Sequence, residues 1–178
     1  YAFYTNGTSK LNSIAFEGNN LKSIGYQAFY RSAITSLYLP DGITSIGYQA
    51  FNACTKMTTL SIPGSVTLAD QVFVSCSSLK NVTIREGLRV IPARTFRNCI
   101  GLTTITFPDS VTTIGDYAFT GCSALESVYF SPNSMLSNVG ASLFSNCKNL
   151  KTVIFGDRLT SLGANIFSGC VSLTEVHL

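Results

Sequence analysis

The chain has 178 residues, a formal net charge of +3 and only 12% charged residues. That charged share is about half the usual ~25%, so the surface is neutral and rich in Ser, Thr, Asn and Gly. With no run of Lys or Arg, this excludes a nucleic-acid footprint and a polybasic membrane patch, and no stretch approaches the roughly 18 apolar residues of a membrane-spanning helix.

The sequence repeats itself. The phrase Ala118-Phe119-x-x-Cys122-x-x-Leu125-x-x-Val128-x-Phe130 recurs around Phe51, Phe73, Phe96, Phe144 and Phe167, with weaker copies at Phe3 and Phe29. Successive Phe residues are 26, 22, 22, 23, 23, 25 and 23 apart. Self-similarity at that period marks a solenoid, whose units complete one another's cores. The whole chain, 1–178, reads as a single solenoid domain of about eight repeats of 22–26 residues. Tyr1 opens directly into repeat-like sequence and Leu178 stops inside a repeat, so the chain is expected to be a fragment of a longer one.

Each repeat has three parts. The first alternates apolar and polar residues, as in Leu125-x-x-Val128-x-Phe130, and predicts a short strand with one buried face. Eight such strands are expected, beginning near Leu11, Ile34, Met57, Leu79, Leu102, Leu125, Leu150 and Leu173, and stacked as a parallel sheet on one face of the solenoid. A turn follows, as in Pro40-Asp41-Gly42, Pro63-Gly64-Ser65 and Pro108-Asp109-Ser110. The third part is an extended V-x-x-I-G-x-x-A-F, as in Val111-Ile114-Gly115-Ala118-Phe119. Its glycine suggests a bend, and the following A-F-x-x-C has room for one short α or 3-10 turn.

The repeat absorbs the aromatic residues. Eight of the twelve Phe residues occupy the A-F position, and Phe16, Phe107, Phe130 and Phe155 end strand motifs facing inward. No Phe is left for a cofactor, and none is expected. Two loops carry the extra residues of the long repeats, Tyr4–Lys10 and Ser131–Met135.

Cys54, Cys76, Cys99, Cys122, Cys147 and Cys170 stand one per repeat, where earlier repeats carry Asn6 and Ser32. Neighbouring coils would bring their Cα atoms within disulfide range, but with parallel rather than converging Cβ vectors. A position that accepts Cys, Ser and Asn calls for a small polar group bonded to a buried backbone turn, so a ladder of thiols is expected. Zinc sites need clustered pairs such as C-x-x-C, which are absent.

Nothing points to catalysis. His177 is the single histidine and lies one residue from the end; phosphate-binding and metalloprotease motifs are missing, and Asp41, Asp109 and Asp157 recur at one turn position. No enzyme, metal or cofactor is therefore expected. A partner would meet the strand positions that face away from the core. Among these the candidates are Tyr38, Thr59, Thr83, Arg85, Thr106, Tyr129 and Ile154, with Tyr and Arg the residue types that most often anchor interfaces.

Met57-x-x-Leu60-x-Ile62-Pro63 and Val111-x-x-Ile114-Gly115-x-x-Ala118-Phe119-x-x-Cys122 resemble the two halves of the BspA-like, or Treponema pallidum-type, leucine-rich repeat, and the resemblance covers essentially the whole chain. Departures are local: Ala69 and Pro92 replace the glycine, and Arg85, Ser131 and Gly156 replace the strand-ending proline. The resemblance implies a leucine-rich-repeat solenoid that is non-catalytic, monomeric, and extracellular or displayed at a cell surface. It implies adhesion to a host extracellular-matrix or cell-surface protein, or to a glycan. The alternative is a structural spacer that displays another domain.

Overall fold

The computed structural model describes residues 10–18 and 20–178. The repeat around Phe3, the Asn6 position and all of the first long loop but Lys10 lie outside the described residues.

The chain winds into stacked coils, counted here from the one that begins at Leu11. Each later coil contributes a longer strand to one sheet: β2 (Ser36–Tyr38), β4 (Thr59–Ile62), β6 (Asn81–Ile84), β8 (Thr104–Thr106), β10 (Ser127–Tyr129), β12 (Thr152–Ile154) and β14 (Glu175–His177). These seven strands pair in parallel and in chain order. Alternation sets the faces: Leu37, Leu60, Ile105, Val128 and Val153 are buried, and the residues on either side of them face away from the core. The eighth strand expected near Leu11 does not form. The Asn12 carbonyl accepts from the Thr35 N–H at 3.1 Å, but Leu11, Ile14 and Phe16 are merely half-buried and hold the segment weakly.

The extended V-x-x-I segment builds a second strand row. β1 (Ser23–Ile24), β3 (Ser45–Ile46) and β5 (Thr67–Leu68) form one parallel sheet; β7 (Val90–Ile91), β9 (Thr113–Ile114), β11 (Asn138–Val139) and β13 (Ser161–Leu162) form another. The row is thus interrupted between the third and fourth coils, and three changes in sequence cause it. Thr59 to Thr67 is eight residues where Ser36 to Ser45 and Thr104 to Thr113 are nine, so the third coil's linker is one residue short. Pro92 has no N–H, whereas Gly47, Ala69, Gly115, Gly140 and Gly163 each donate at this position to the preceding coil. Arg89 also lacks the hydroxyl with which Thr44, Thr112, Ser137 and Thr160 bond the preceding coil's carbonyl at 3.0–3.3 Å.

The described A-F-x-x-C segments contain no helical turn. Two residues per coil, two before and two after each Phe, take positive φ, for example Gln49 (55°) and Ala53 (58°) around Phe51. Left-handed residues interrupt helical geometry. Their role is visible in the hydrogen bonds: alternate N–H groups point along the stack and the others close local turns. Gln49, Phe51 and Ala53 donate to Asp70, Val72 and Val74 of the next coil, while Ala50, Asn52 and Cys54 donate three residues back.

The Phe residues of these segments stack from coil to coil. Ring centroids are 5.1–6.1 Å apart along Phe29, Phe51, Phe73, Phe96, Phe119, Phe144 and Phe167. Phe107, Phe130 and Phe155 make a second, shorter stack, as their inward orientation requires. Burying each ring stabilises by roughly 1.5–3 kcal/mol, with about 0.5–1.5 kcal/mol more from the ring pair.

Candidate functional site

Strand register brings five of the seven candidate residues into one row. Tyr38 pairs with Ser61, Ser61 with Thr83, Thr83 with Thr106, Thr106 with Tyr129 and Tyr129 with Ile154. Thr59 lies in the adjacent row, between Ser36 and Asn81. Tyr38 is 65% exposed and Tyr129 54%, while Ile154 is half-buried between its neighbours. The two tyrosines are four strand spacings apart, about 19 Å. Between them the sheet loosens, because β6 and β8 pair only at Thr83–Thr106 where other neighbours pair over three or four residues. The result is a shallow depression of about 160 Å³ floored by Lys80–Thr83 and Thr104–Thr106.

Arg85 does something else. Its guanidinium reaches back over the short third-coil turn to Asp41 Oδ1 at 2.7 Å and donates to the Leu39 carbonyl at 2.8 Å. It therefore spans two coils, and its side chain is committed to the fold. Asp109 likewise bridges coils, accepting from the Ser131 hydroxyl. The second long loop is ordered: Met135 donates to the Asp109 carbonyl at 2.8 Å, and Leu136 fills the core.

His177 is exposed and lies 2.7 Å from Glu175, whose carboxyl is held below its usual range by hydrogen bonds from His177 and Thr152. Among the described residues no group of three His, Cys, Asp or Glu side chains is placed to hold a metal, and no helix is long and apolar enough to cross a membrane.

The cysteines form the ladder expected of them. Each thiol donates to the Phe carbonyl of the preceding coil: Cys54 to Phe29, Cys76 to Phe51, Cys99 to Phe73, Cys122 to Phe96, Cys147 to Phe119 and Cys170 to Phe144, with Sγ···O distances of 3.0–3.3 Å. Ser32 lies 3.2 Å from Cys54 Sγ at the top of the ladder. Burial pushes the Cys122 thiol from 9.0 up to about 12 and raises Cys99 and Cys147 as well. These are protonated, unreactive groups.

Two features escaped the sequence reading. Tyr26 and Tyr48 stack on the turn side, with centroids 5.8 Å apart, beside a glutamine ladder in which Gln27 donates to Gln49 and Gln49 to Gln71. The identical Gly-Tyr-Gln of 25–27 and 47–49 was the signal for it. The other is a cleft of about 450 Å³ at the interruption of the second strand row.

The family model for the BspA type leucine rich repeat region matches residues 1–91 and 66–178, in six copies. The chain belongs to the BspA-type leucine-rich repeat family. A leucine-rich repeat protein from Bacteroides ovatus is similar to this BspA-type chain at 32% identity and a TM-score of 0.69, over 94% of the present chain and 48% of that one. The T. pallidum leucine-rich repeat protein is 26% identical with a TM-score of 0.63, over 88% of this chain and 62% of its own. The BspA-type repeats described here thus span about half to three-fifths of the length of those two chains. No protein of curated function matches the sequence.

Proposed function

We propose that this BspA-type solenoid is a non-catalytic protein-binding module at a cell surface, and that it takes its partner on the seven-stranded sheet. The observation that carries this reading is the placement of Tyr38 and Tyr129. They are highly exposed, stand in one register row, and frame the depression at Thr83–Thr106. Tyrosine covers large area at low entropic cost and is enriched among interface hot spots. Six strand spacings give a row of about 29 Å, which with ~15–20 Å of width offers roughly 430–580 Å², over half of one side of a standard interface of about 800 Å². Membership in the family supports an extracellular or cell-surface setting and a host matrix protein, cell-surface protein or glycan as the partner class.

A matrix-protein and cell-surface-protein array probed with the purified chain tests this. The expected outcome is a saturable interaction weakened roughly 30-fold or more in a Tyr38→Ala/Tyr129→Ala variant, as for hot spots of about 2 kcal/mol. An interaction unmoved by that variant would put the partner on another face. The row between the tyrosines is otherwise Ser61, Thr83 and Thr106. That hydroxyl uniformity favours the second reading, a spacer that displays another domain, and the array returning no partner would support it.

A further inference from the structure

We propose that the cleft between the third and fourth coils binds an acidic sugar, a pyranose-sized ligand with a carboxylate and ring hydroxyls. The cleft lies on the second strand row, away from the Tyr38–Tyr129 row. Its volume of about 450 Å³ falls in the usual range for small-molecule sites, roughly 300–1,000 Å³. One wall is the Gly64–Leu68 segment and the other is Gly87, Arg89 and Val90.

The chemistry of the walls selects the ligand. Along this row no hydrogen bond reaches the Val66 or Leu68 carbonyl from the fourth coil, and Val90 donates to no described residue. The corresponding groups of the other coils are paired, as Thr113 is to Arg89 and Gly115 to Ile91. The cleft therefore presents backbone acceptors that call for O–H donors. Arg89 is the one charged residue of the lining, and none of the ion pairs among the described residues uses it. Nearby Glu86 is engaged by the Ser110 N–H at 2.9 Å. A free guanidinium favours a carboxylate in bidentate geometry. Phosphate would satisfy the arginine but brings at most two hydroxyl donors, crowded on one atom, and no apolar face for Val90. A neutral sugar would satisfy the carbonyls but not the arginine. A sugar acid satisfies both, and the exposed Val90 offers an apolar surface for the C–H face of its ring.

The test is titration of the isotopically labelled chain with glucuronate, with its methyl ester, glucose, acetate and inorganic phosphate as comparisons. Glucuronate should bind with a Kd on the order of 1 mM and shift the amides of Val66–Leu68 and Arg89–Val90. The methyl ester, the neutral sugar, acetate and phosphate should each bind at least ~10-fold more weakly, as should glucuronate to an Arg89→Gln variant of unchanged melting temperature. The proposal is overturned by absence of saturable binding up to about 10 mM, or by equal binding of any comparison compound or of the variant. Glucuronate binding should be the same in the Tyr38→Ala/Tyr129→Ala chain, so this inference and the sheet-face reading fail separately.

Discussion

At the scale of single residues, the least expected feature is the left-handed backbone. Twelve non-glycine residues among those described hold positive φ, including Gln49, Ala53, Arg94 and Tyr117. Each costs about 1–2 kcal/mol relative to a right-handed conformation, and no local preference of Gln, Ala or Arg offsets that. What holds them is the neighbouring coil, which accepts the N–H of every such residue two before or two after the Phe that has a coil beyond it, as Gln71 to Ala93 and Ser75 to Arg97 show. The cysteine belongs to the same unit: the Phe96 carbonyl accepts both the Cys99 N–H within its own turn and the Cys122 thiol of the next coil. The thiol is thus a donor in a dry site, and this sets its pH behaviour. Burial raises Cys122 from 9.0 to about 12, so the unfolded chain releases this proton first. The stability tied to the thiol is fully present below pH 9 and is lost as pH rises from there toward 12. Cys99 and Cys147, also raised by burial, add in the same direction. Urea midpoints measured from neutral to alkaline pH should stay flat up to roughly pH 8.5 and then fall. A thiol reagent at neutral pH should react first with Cys170, the one half-buried member, and with the other five only on unfolding. A midpoint that stayed constant to pH ~11 would show that the thiols are not buried as described.

At the scale of the strand and its turn, the glycine of the I-G pair shows how coils determine one another. It does not adopt positive φ; it is needed for space. A Cβ on Gly115 would lie 2.6 Å from Ala93 N and 2.9 Å from Pro92 C, and one on Gly47 would lie 2.8 Å from Gly25 C. A Cβ on Gly25 meets nothing within 4 Å. Gly115→Ala should therefore destabilise by about 1–3 kcal/mol through forced backbone movement. Gly25→Ala should be neutral or stabilise by up to about 1 kcal/mol through the unfolded chain. Thermal melts of the two variants check the contrast, and equal shifts would refute the close-approach account. Ala69 occupies the same position in the coil whose linker is one residue short, which is consistent with a Cβ needing a shifted backbone. These cases also show what the sequence made legible. Alternation and repetition placed the buried Leu, Val and Phe residues, the outward row from Tyr38 to Ile154 and the thiol ladder, because each depends on position within one repeat. The left-handed turns, the Arg85–Asp41 clamp across two coils and the cleft depend on what one repeat does to another. Pro92, Ala69 and Arg85 stood out in the sequence as departures from the pattern, but their meaning lies in hydrogen bonds that only stacking creates.

For the whole molecule, a solenoid's stability is approximately a sum of coil terms and nearest-neighbour terms, so its weakest junction sets where it opens. The fourth coil has two weak junctions on different sides. Its second strand row is unpaired from the third coil between Thr67–Leu68 and Val90–Ile91, and its first-row strand β6 meets β8 only at Thr83–Thr106. On the turn side it is fully tied, with Gln71 and Phe73 of the third coil donating into it and Arg94, Phe96 and Asn98 donating to the fifth. Phe73 and Phe96 also stack at 5.6 Å and Phe96 and Phe119 at 5.3 Å, so the Phe ladder runs through it unbroken. The fourth coil is therefore hinged along its aromatic edge and open on its two strand edges. The Arg85 clamp to Asp41 crosses the first of these openings; with Asp41 largely exposed, the ion pair itself contributes at most about 1 kcal/mol. Local opening should begin at these strand edges. In native-state hydrogen exchange the Val90 amide, which has no carbonyl partner, should exchange fastest among the second-row strand amides of the coil interior, while the amides of Thr67 and Thr113, bonded to Thr44 and Arg89, stay protected. The Phe73 and Phe96 amides, bonded to Thr95 and Ala118, should be among the last to exchange. Uniform protection of Val90 and Thr113 would mean that the second row is continuous in solution. That would remove both the weak junction and the cleft built on it, because the same missing bonds that loosen the fourth coil are the ones that leave the Val66 and Leu68 carbonyls of the third without a donor.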